Sequence, residues 1–392
     1  MGTKNMILAG LIASICLIIL SCSNKIKKHP FQESLSGNTL AVADTLAFRK
    51  TIDGKSTALY FLHNTHLKVA ITNYGARIVS LQVPDKLDNY RDIVVGYDSL
   101  LPYTRGSDTY FGAVVGRYGN RIARGRFILE GKKYQLAINN PPNHLHGGTI
   151  GFSRRVWDVT EYSDSSLTLR YFSKNMEEGY PGDLTVIVKY TATHTGSLKL
   201  EYQVSSDKAT VANITNHTYF NLNGEGSGSV GGHLLMIRAD YITPIDSTFI
   251  PTGDLLAVKG TPFDFLKPRM IGLEETDTSD LQLKNGHGYD HNFVLSTGGS
   301  LLNKAAEVVG DKSGIVMDIY TTEPGIQFYG GNFMDGTHQI SSGGTDEYRT
   351  AFCLETQHFP DSPNHPAFPS TTLAPGKVYR STTVYSFGLN RK

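Results

Sequence analysis

The sequence is poor in cysteine and tryptophan and has almost no excess of either charge. Its 392 residues include 3 Cys and 1 Trp, and 37 Lys and Arg residues balance 36 Asp and Glu residues, for a net charge of +1. So few cysteines exclude a disulfide framework and a four-cysteine zinc site. The balanced charge excludes an electrostatic nucleic-acid binder, which needs a basic surface to neutralise phosphates. We therefore expect a globular protein that binds no nucleic acid.

The N-terminal segment is typical of an export signal. Lys4 precedes an apolar run over residues 7–20, which is too short to span a bilayer comfortably. Residues 19–22 resemble a bacterial lipobox, in which Cys22 is lipidated and becomes the mature N-terminus. A plain signal peptide cut nearby and a short anchor helix are the alternatives. Ser23 does not resemble the Asp-type signal that retains lipoproteins at the inner membrane.

The chain is predicted to have three parts. Residues 1–22 form the signal peptide, the polar residues 23–45 form a flexible tether, and residues 46–392 form one domain. Lipidation of Cys22 would leave Cys353 as the only free thiol, so the core rather than disulfides must hold the fold. We expect an exported protein that meets the membrane only through its lipid anchor, on the periplasmic or outer-membrane side of a Gram-negative bacterium.

The domain has the pattern of half-buried antiparallel strands. Apolar and polar residues alternate over residues 184–191 and 198–205, and residues 67–72, 167–172 and 382–387 show a similar pattern. An apolar period of 3.6 residues is not sustained for three turns, which predicts very little helix. The fold class predicted is all-β, a large antiparallel β-sandwich, and no Pro- or Ser-rich linker divides it into two domains.

Two histidines lie in the glycine-flanked segment 143–148. His144 and His146 are two residues apart and would share a face of an extended backbone. A metal site would need a third ligand, and none is spaced nearby, so we predict no metal. The glycines that follow, Gly147 and Gly148, would let a substrate approach the backbone closely.

Polar residues also occur inside segments that read as strands. The set Asn213, Thr215, His217 and Tyr219 lies on one face, which either meets water or lines a polar cleft. Glu355 ends a strand that is apolar on both faces. A carboxylate there has either a structural ion-pair partner or a perturbed pKa.

Arginines and an aspartate complete the candidate residues. Arg117 and Arg121 are four apart in a glycine-punctuated segment and could bind oxygens in bidentate fashion or lie on the surface. Asp290 stands in the segment 288–293. A nucleophile elbow and a phosphate-binding loop are both missing from the sequence. These residue types indicate a possible sugar-handling site and no more.

Taken together, these segments resemble the aldose 1-epimerase (galactose mutarotase) family. The similarity extends over about 48–390 and is carried by several ordered motifs, at residues 110–112, 116–122, 143–148, 179–184, 216–222, 289–293, 324–329 and 354–357. The resemblance implies a mutarotase-type β-sandwich. It also implies an enzyme that interconverts the α and β anomers of aldohexoses of the glucose and galactose class, without a cofactor or metal.

The same resemblance implies a role for each motif residue. Glu355 would be the general base that takes the proton of the anomeric hydroxyl, and His217 the general acid that protonates the ring oxygen. His146 would orient the sugar or stabilise charge near the ring oxygen. The residues that would hold sugar hydroxyls are Arg121, Asn120, Asp290 and Gln327.

Two other functions remain open at this stage. A β-sandwich glycoside hydrolase would need two carboxylates, for which Asp290 and Glu355 are the only obvious pair, and it would leave His217 without a task. A non-catalytic sugar-binding lipoprotein could use the same fold.

Overall fold

The alternating segments form long antiparallel strands. Leu184–Ala192 pairs with Ser197–Ser206, with Val188 opposite Tyr202. Along the first of these strands buried and half-buried side chains alternate, from buried Leu184 to buried Ala192. The side-chain alternation of a strand therefore separates core from surface here, as the sequence predicts.

The computed structural model describes residues 44–105 and 110–390. These residues belong to one compact unit. The predicted signal peptide, the lipidation residue Cys22 and nearly all of the predicted tether lie outside them. None of the helices in the described ranges combines the length and the apolar character that a bilayer-spanning helix needs.

Three larger sheets and five two-stranded pairs make up the described strands, and every strand pairing is antiparallel. In spatial order the nine-stranded sheet consists of Asp158–Tyr162, Ser166–Ser173, Leu184–Ala192, Ser197–Ser206, Val378–Leu389, Ile315–Thr321, Ala306–Val309, Leu234–Ile237 and Arg269–Met270. The six-stranded sheet consists of Tyr219–Phe220, Phe352–Gln357, Gly325–Tyr329, Asp290–Leu295, Ala239–Thr243 and Leu256–Ala257. The four-stranded sheet consists of Leu59–His63, Lys68–Thr72, Arg77–Pro84 and Tyr90–Asp92.

The remaining elements are short. The two-stranded pairs are Thr51–Ile52 with Lys55–Ser56, Ala113–Val115 with Thr215–His217, Arg121–Ile122 with His144–Leu145, Arg126–Leu129 with Lys132–Gln135, and Thr210–Val211 with Thr372–Leu373. The described α-helices are Leu100–Thr104 and Leu281–Gly286, and the 3₁₀ turns are Thr45–Phe48, Ala123–Gly125, Phe152–Arg154, Glu177–Gly179, Ile271–Leu273 and Ser362–Asn364.

The inner faces of the three larger sheets share one core. Leu200 of the nine-stranded sheet, Phe328 of the six-stranded sheet and Ile71 of the four-stranded sheet belong to a single cluster of buried apolar side chains. Sheets that bury their apolar faces against one another form a sandwich. The predicted all-β sandwich with very little helix is confirmed.

Arg117 shows how the loops around the site are held. The sequence offered a ligand-binding or a surface position, but the side chain is fully buried. Its guanidinium donates to five acceptors, which are the carbonyls of Ser173, Lys174, Pro181 and Gly182 and the Ser173 hydroxyl. Arg117 is therefore a structural residue that satisfies backbone groups buried in turns.

We expect Arg117→Leu to destabilise the protein by about 3 kcal/mol or more, because it leaves several buried carbonyls unpaired. Urea unfolding followed by tryptophan fluorescence measures this change. Arg170→Leu is the matched control, since Arg170 is exposed on a neighbouring strand. It should stay within about 0.5 kcal/mol of the parent. An equal effect of both substitutions would contradict the structural role of Arg117.

Candidate active site

A cleft of about 450 Å³, lined by charged, polar and aromatic side chains, lies where the six-stranded sheet meets the paired strands Ala113–Val115 and Thr215–His217. This volume lies in the range of small-molecule sites. Of the seven residues that the sequence singled out for catalysis or sugar binding, six line it: Glu355, His217, His146, Arg121, Asn120 and Asp290.

Glu355 is placed by the register of the six-stranded sheet. Its strand, Phe352–Gln357, runs beside Gly325–Tyr329, with Gln327 directly opposite Glu355. Only 2% of Glu355 is exposed. Glu355 Oε1 lies 3.6 Å from His217 Nε2, and within the described structure Oε2 is buried without a hydrogen-bond partner. The carboxyl and the imidazole thus face the same small space.

His217 ends the short strand Thr215–His217 and is held between aromatic rings. Its imidazole stacks on Tyr219 at 5.0 Å and on Tyr110 at 5.7 Å between ring centroids. Its Nδ1 lies 3.5 Å from Cys353 Sγ. Burial lowers the pKa of His217 to about 3, so the isolated imidazole is neutral at pH 7.

His146 is fixed by a reciprocal pair of bonds with Asn120. The His146 N–H donates to the Asn120 carbonyl at 3.1 Å, and the Asn120 N–H donates to His146 Nδ1 at 3.2 Å. Since Nδ1 accepts, the neutral ring carries its proton on Nε2. The His146 and His217 rings meet edge to face at 5.0 Å, and burial lowers the pKa of His146.

The prediction that His144 and His146 share a face is wrong. The strand ends at Leu145, and His146 has a left-handed φ of +49°. His144 therefore contacts the interior, where its Nε2 pairs with the Tyr180 hydroxyl at 2.6 Å and its Nδ1 with the Ala137 carbonyl at 2.7 Å. It is a structural histidine.

Gly147, which follows His146, has a different structural role from the one predicted. A Cβ on Gly147 would lie 1.7 Å from the Gly116 carbonyl oxygen, and its φ is +87°. The close approach is therefore between two loops of the protein rather than between the backbone and a substrate. This contact holds the turn that presents His146.

Arg121 and Asp290 form the polar side of the cleft. Arg121 Nη1 lies 3.9 Å from Asp290 Oδ2, and the guanidinium lies over the Phe249 ring at 4.5 Å. Gln327 donates to Asp290 Oδ1 at 2.7 Å. Gln327 is not among the described residues that line the cleft. It stands behind Asp290 and orients it.

The charges of these groups act on Glu355. Burial raises the pKa of Glu355 well above its usual value, the Asp290 carboxylate raises it further, and Arg121 opposes both. Burial also raises the pKa of Asp290. Such perturbed groups are concentrated at functional sites.

Within residues 44–105 and 110–390, two groups of side chains could offer ligands to a metal. His146, His217 and Glu355 have ligand atoms within 4.8 Å of one another, as have Asp335, His338 and Asp346. The first group leaves out His144, so the histidine pair considered in the sequence does not form a site, and the fold instead brings His217 and Glu355 to His146.

The tautomer of His146 does not suit a metal, however. His146 Nε2 carries a proton while Nδ1 accepts the Asn120 N–H. A metal bound at Nε2 would leave the proton of the neutral ring on Nδ1. That Nδ1–H would then face the N–H of Asn120. The cleft therefore fits a hydrogen-bonding ligand better than a cation.

Several aromatic side chains of the cleft gave no chemical signal in the sequence. Tyr110, Phe249, Tyr329 and Phe333 line it together with the polar residues. Tyr110 and Tyr329 belong to motifs of the family resemblance, but Phe249 and Phe333 stand in loops whose composition shows no pattern. Only the packing of these loops against Arg121 and Tyr329 reveals their place.

The cleft of this antiparallel β-sandwich combines a buried carboxyl group, two neutral histidines and an Arg–Asp pair. This combination is typical of enzymes that bind sugars and act on them by acid–base chemistry. Comparisons with known proteins agree. A profile of the aldose 1-epimerase family matches residues 58–386. The galactose mutarotase of Bos taurus is 43% identical over 328 residues, which cover 84% of this chain and 93% of that protein. The aldose 1-epimerase of Escherichia coli K12 is 36% identical over 340 residues, 86% of this chain and 96% of that one.

Solved structures give the same result. The GalM/aldose epimerase homologue from C. elegans matches with a TM-score of 0.79 at 29% identity, covering 85% of this chain and 99% of that one. Galactose 1-epimerase from Lactobacillus acidophilus matches with a TM-score of 0.76 at 27% identity, covering 87% and 97%. The chain belongs to the aldose 1-epimerase family.

We expect the Glu355 carboxyl to titrate above the usual range of glutamate, and Asp290→Asn to lower its pKa, because the substitution removes a neighbouring negative charge. Infrared titration of the carboxyl bands measures this, with Glu355→Gln used to assign the band. Asp277→Asn is the control, since Asp277 is exposed. A Glu355 pKa that rises or stays constant in Asp290→Asn would contradict the proposed electrostatics.

Proposed function

We propose that this protein interconverts the α and β anomers of aldohexoses such as galactose and glucose. The observation that carries the proposal is the contact between Glu355 and His217. Both groups are buried in one cleft, and Glu355 Oε1 lies 3.6 Å from His217 Nε2. The names of the relatives, galactose mutarotase and aldose 1-epimerase, support the same reaction.

The chemistry needs two adjacent proton-transfer groups. Opening of the hemiacetal removes a proton from the anomeric hydroxyl and gives one to the ring oxygen. Both oxygens are bonded to the same carbon, so the groups that reach them must lie side by side. Glu355 takes the first proton and His217 supplies the second, and each transfer contributes about 10²–10⁴-fold.

The proton balance explains why the pair is buried. Ring opening starts from ionised Glu355 and protonated His217, and it ends with protonated Glu355 and neutral His217. Burial favours the second state for both groups. It therefore stabilises the open-chain intermediate relative to the starting ion pair, and forming that ion pair costs the desolvation of both charges. Rotation about C1–C2 and reversal of both transfers close the ring with the other anomeric configuration.

The other residues hold the sugar. His146 donates its Nε2 proton toward the ring oxygen, and its fixed tautomer makes it a donor throughout the cycle. Arg121 and Asp290 bind hydroxyls, and Asn120 completes that wall of the cleft. Gln327 acts one step further away by orienting Asp290. The mechanism uses no cofactor.

We expect Glu355→Gln to abolish anomerisation while the protein stays folded, because the amide keeps the volume of the side chain and cannot accept the proton. Polarimetry of fresh α-D-galactose and α-D-glucose measures the rate. His217→Asn should lower kcat to a similar extent, at least about 10²-fold. Near-parent activity of Glu355→Gln would refute the base assignment.

The same assay separates the other functions. A glycoside hydrolase would release monosaccharide from an oligosaccharide, and a non-catalytic binding protein would leave the anomer ratio to drift at the solvent rate. Either result with the parent protein would overturn the proposed reaction.

We also propose that the protein is an exported lipoprotein anchored through Cys22. The support is the order of the N-terminal residues, in which Lys4, the apolar run 7–20 and the lipobox-like residues 19–22 follow one another. The tether 23–45 then gives the enzyme domain distance from the membrane.

We expect the full chain to incorporate labelled palmitate in a Gram-negative host and to partition with membranes, and Cys22→Ser to lose both properties. Cys353→Ser is the matched control, because Cys353 is fully buried in the domain. Label retained in Cys22→Ser would exclude the anchor.

A further inference from the structure

Gln357 is a buried polar residue to which the mechanism gives no task. It stands two residues after Glu355 on the strand Phe352–Gln357, so the two side chains lie on the same face of the six-stranded sheet. Gln357 is fully buried and is not among the described residues that line the cleft. Burying an amide costs free energy unless it is hydrogen-bonded, so the partners of Gln357 indicate its role.

The strand beside Gln357 leaves room for its side chain. Gln357 lies directly opposite Gly325, and its Nε2 donates to Asn292 Oδ1 on the strand beyond at 3.2 Å. A Cβ on Gly325 would lie 2.6 Å from the same Asn292 oxygen. The glycine therefore permits a bond that crosses from one strand to the next but one.

A row of amides connects Gln357 with the polar side of the cleft. Gln357 Nε2 also donates to Gln327 Oε1, at 3.4 Å. Gln327 Nε2 in turn donates to Asp290 Oδ1, at 2.7 Å. Both bonds run in the same direction, from the buried end of the row toward the carboxylate that lines the cleft.

The chemistry of an amide fixes this direction. The side chain of Gln327 ends in one NH₂ group and one oxygen, so it donates to Asp290 while its oxygen faces Gln357. Within the described structure Gln357 Oε1 is buried without a hydrogen-bond partner, so this amide acts as a donor. If the Gln357 amide were turned over, its oxygen would face the Gln327 oxygen, and two acceptors would repel each other.

The state of Asp290 depends on the donor that it receives. Burial raises the pKa of Asp290, whereas Arg121 and the hydrogen bond from Gln327 oppose that rise. An ionised carboxylate accepts hydrogen bonds only, so it can bind the O–H groups of a sugar at the oxygen that faces the cleft. Loss of the Gln327 donor would favour the protonated acid.

We propose that Gln357 is a positioning residue for the sugar site, which acts through Gln327 to keep Asp290 a hydrogen-bond acceptor toward the cleft. The inference rests on the proposed function, because it takes Asp290 to hold a sugar hydroxyl.

The first test is Gln357→Met in the full-length protein, which keeps the length of the side chain and removes the donor. Gln327 can then turn its oxygen toward Asp290, so we expect the pKa of Asp290 to rise. Infrared titration of the free protein measures this pKa, with Asp290→Asn used to assign the band. In polarimetry with D-galactose we expect KM to rise about two- to tenfold and kcat to stay within about twofold of the parent.

A double variant shows whether Gln357 acts through Gln327. Gln327→Met removes the direct donor and should raise the pKa of Asp290 and KM at least as much as Gln357→Met. Gln327→Met combined with Gln357→Met should equal Gln327→Met alone, because without the Gln327 amide Gln357 has no route to Asp290. Gln203→Met is the matched control, since Gln203 is exposed on the strand Ser197–Ser206. It should change neither quantity.

Two results would overturn the role of Gln357: a pKa of Asp290 that Gln357→Met leaves unchanged, or effects of the two substitutions that add in the double variant. If Gln357→Met does not fold, Gln357→Asn takes its place, because the shorter amide stays polar and ends one methylene short of Gln327. A parent protein inactive on D-galactose would instead refute the proposed function, while the titration of Asp290 would still decide the role of Gln357.

Discussion

The burial of a carboxyl group beside an imidazole is the constraint on which the rest of the structure depends. Glu355 and His217 each lose hydration and face one another at 3.6 Å. Desolvation penalises the charged form of both groups, so it raises the pKa of Glu355 and lowers the pKa of His217. A proton therefore favours Glu355 over His217, and ring opening, which delivers a proton to Glu355 and takes one from His217, runs in the direction that burial favours.

This arrangement needs a rigid scaffold, because a displacement of the two groups by even 1 Å would break the alignment. The register of the six-stranded sheet sets Glu355 opposite Gln327, and Gln327 in turn orients Asp290. His217 comes from a separate strand pair. The shared core of the three larger sheets fixes these elements relative to one another.

Loops complete the site through groups that do no chemistry. Arg117 binds the carbonyls of two turns, and Gly147 lets the loop of His146 approach Gly116. The catalytic residues and the loops around them are thus held in place by different contacts.

Period-two alternation determined the fold class by itself, because a strand with one buried face must alternate apolar and polar residues. The family motifs likewise predicted six of the residues that line the cleft. Only the tertiary structure determined which of two residues of the same type belongs to the active site. His146 and His144 differ in use because the backbone turns at one residue, and Arg121 and Arg117 differ because one meets the cleft and the other meets buried carbonyls. Phe249 and Phe333 carry no local pattern, since their place in the cleft arises from neighbours distant in the chain.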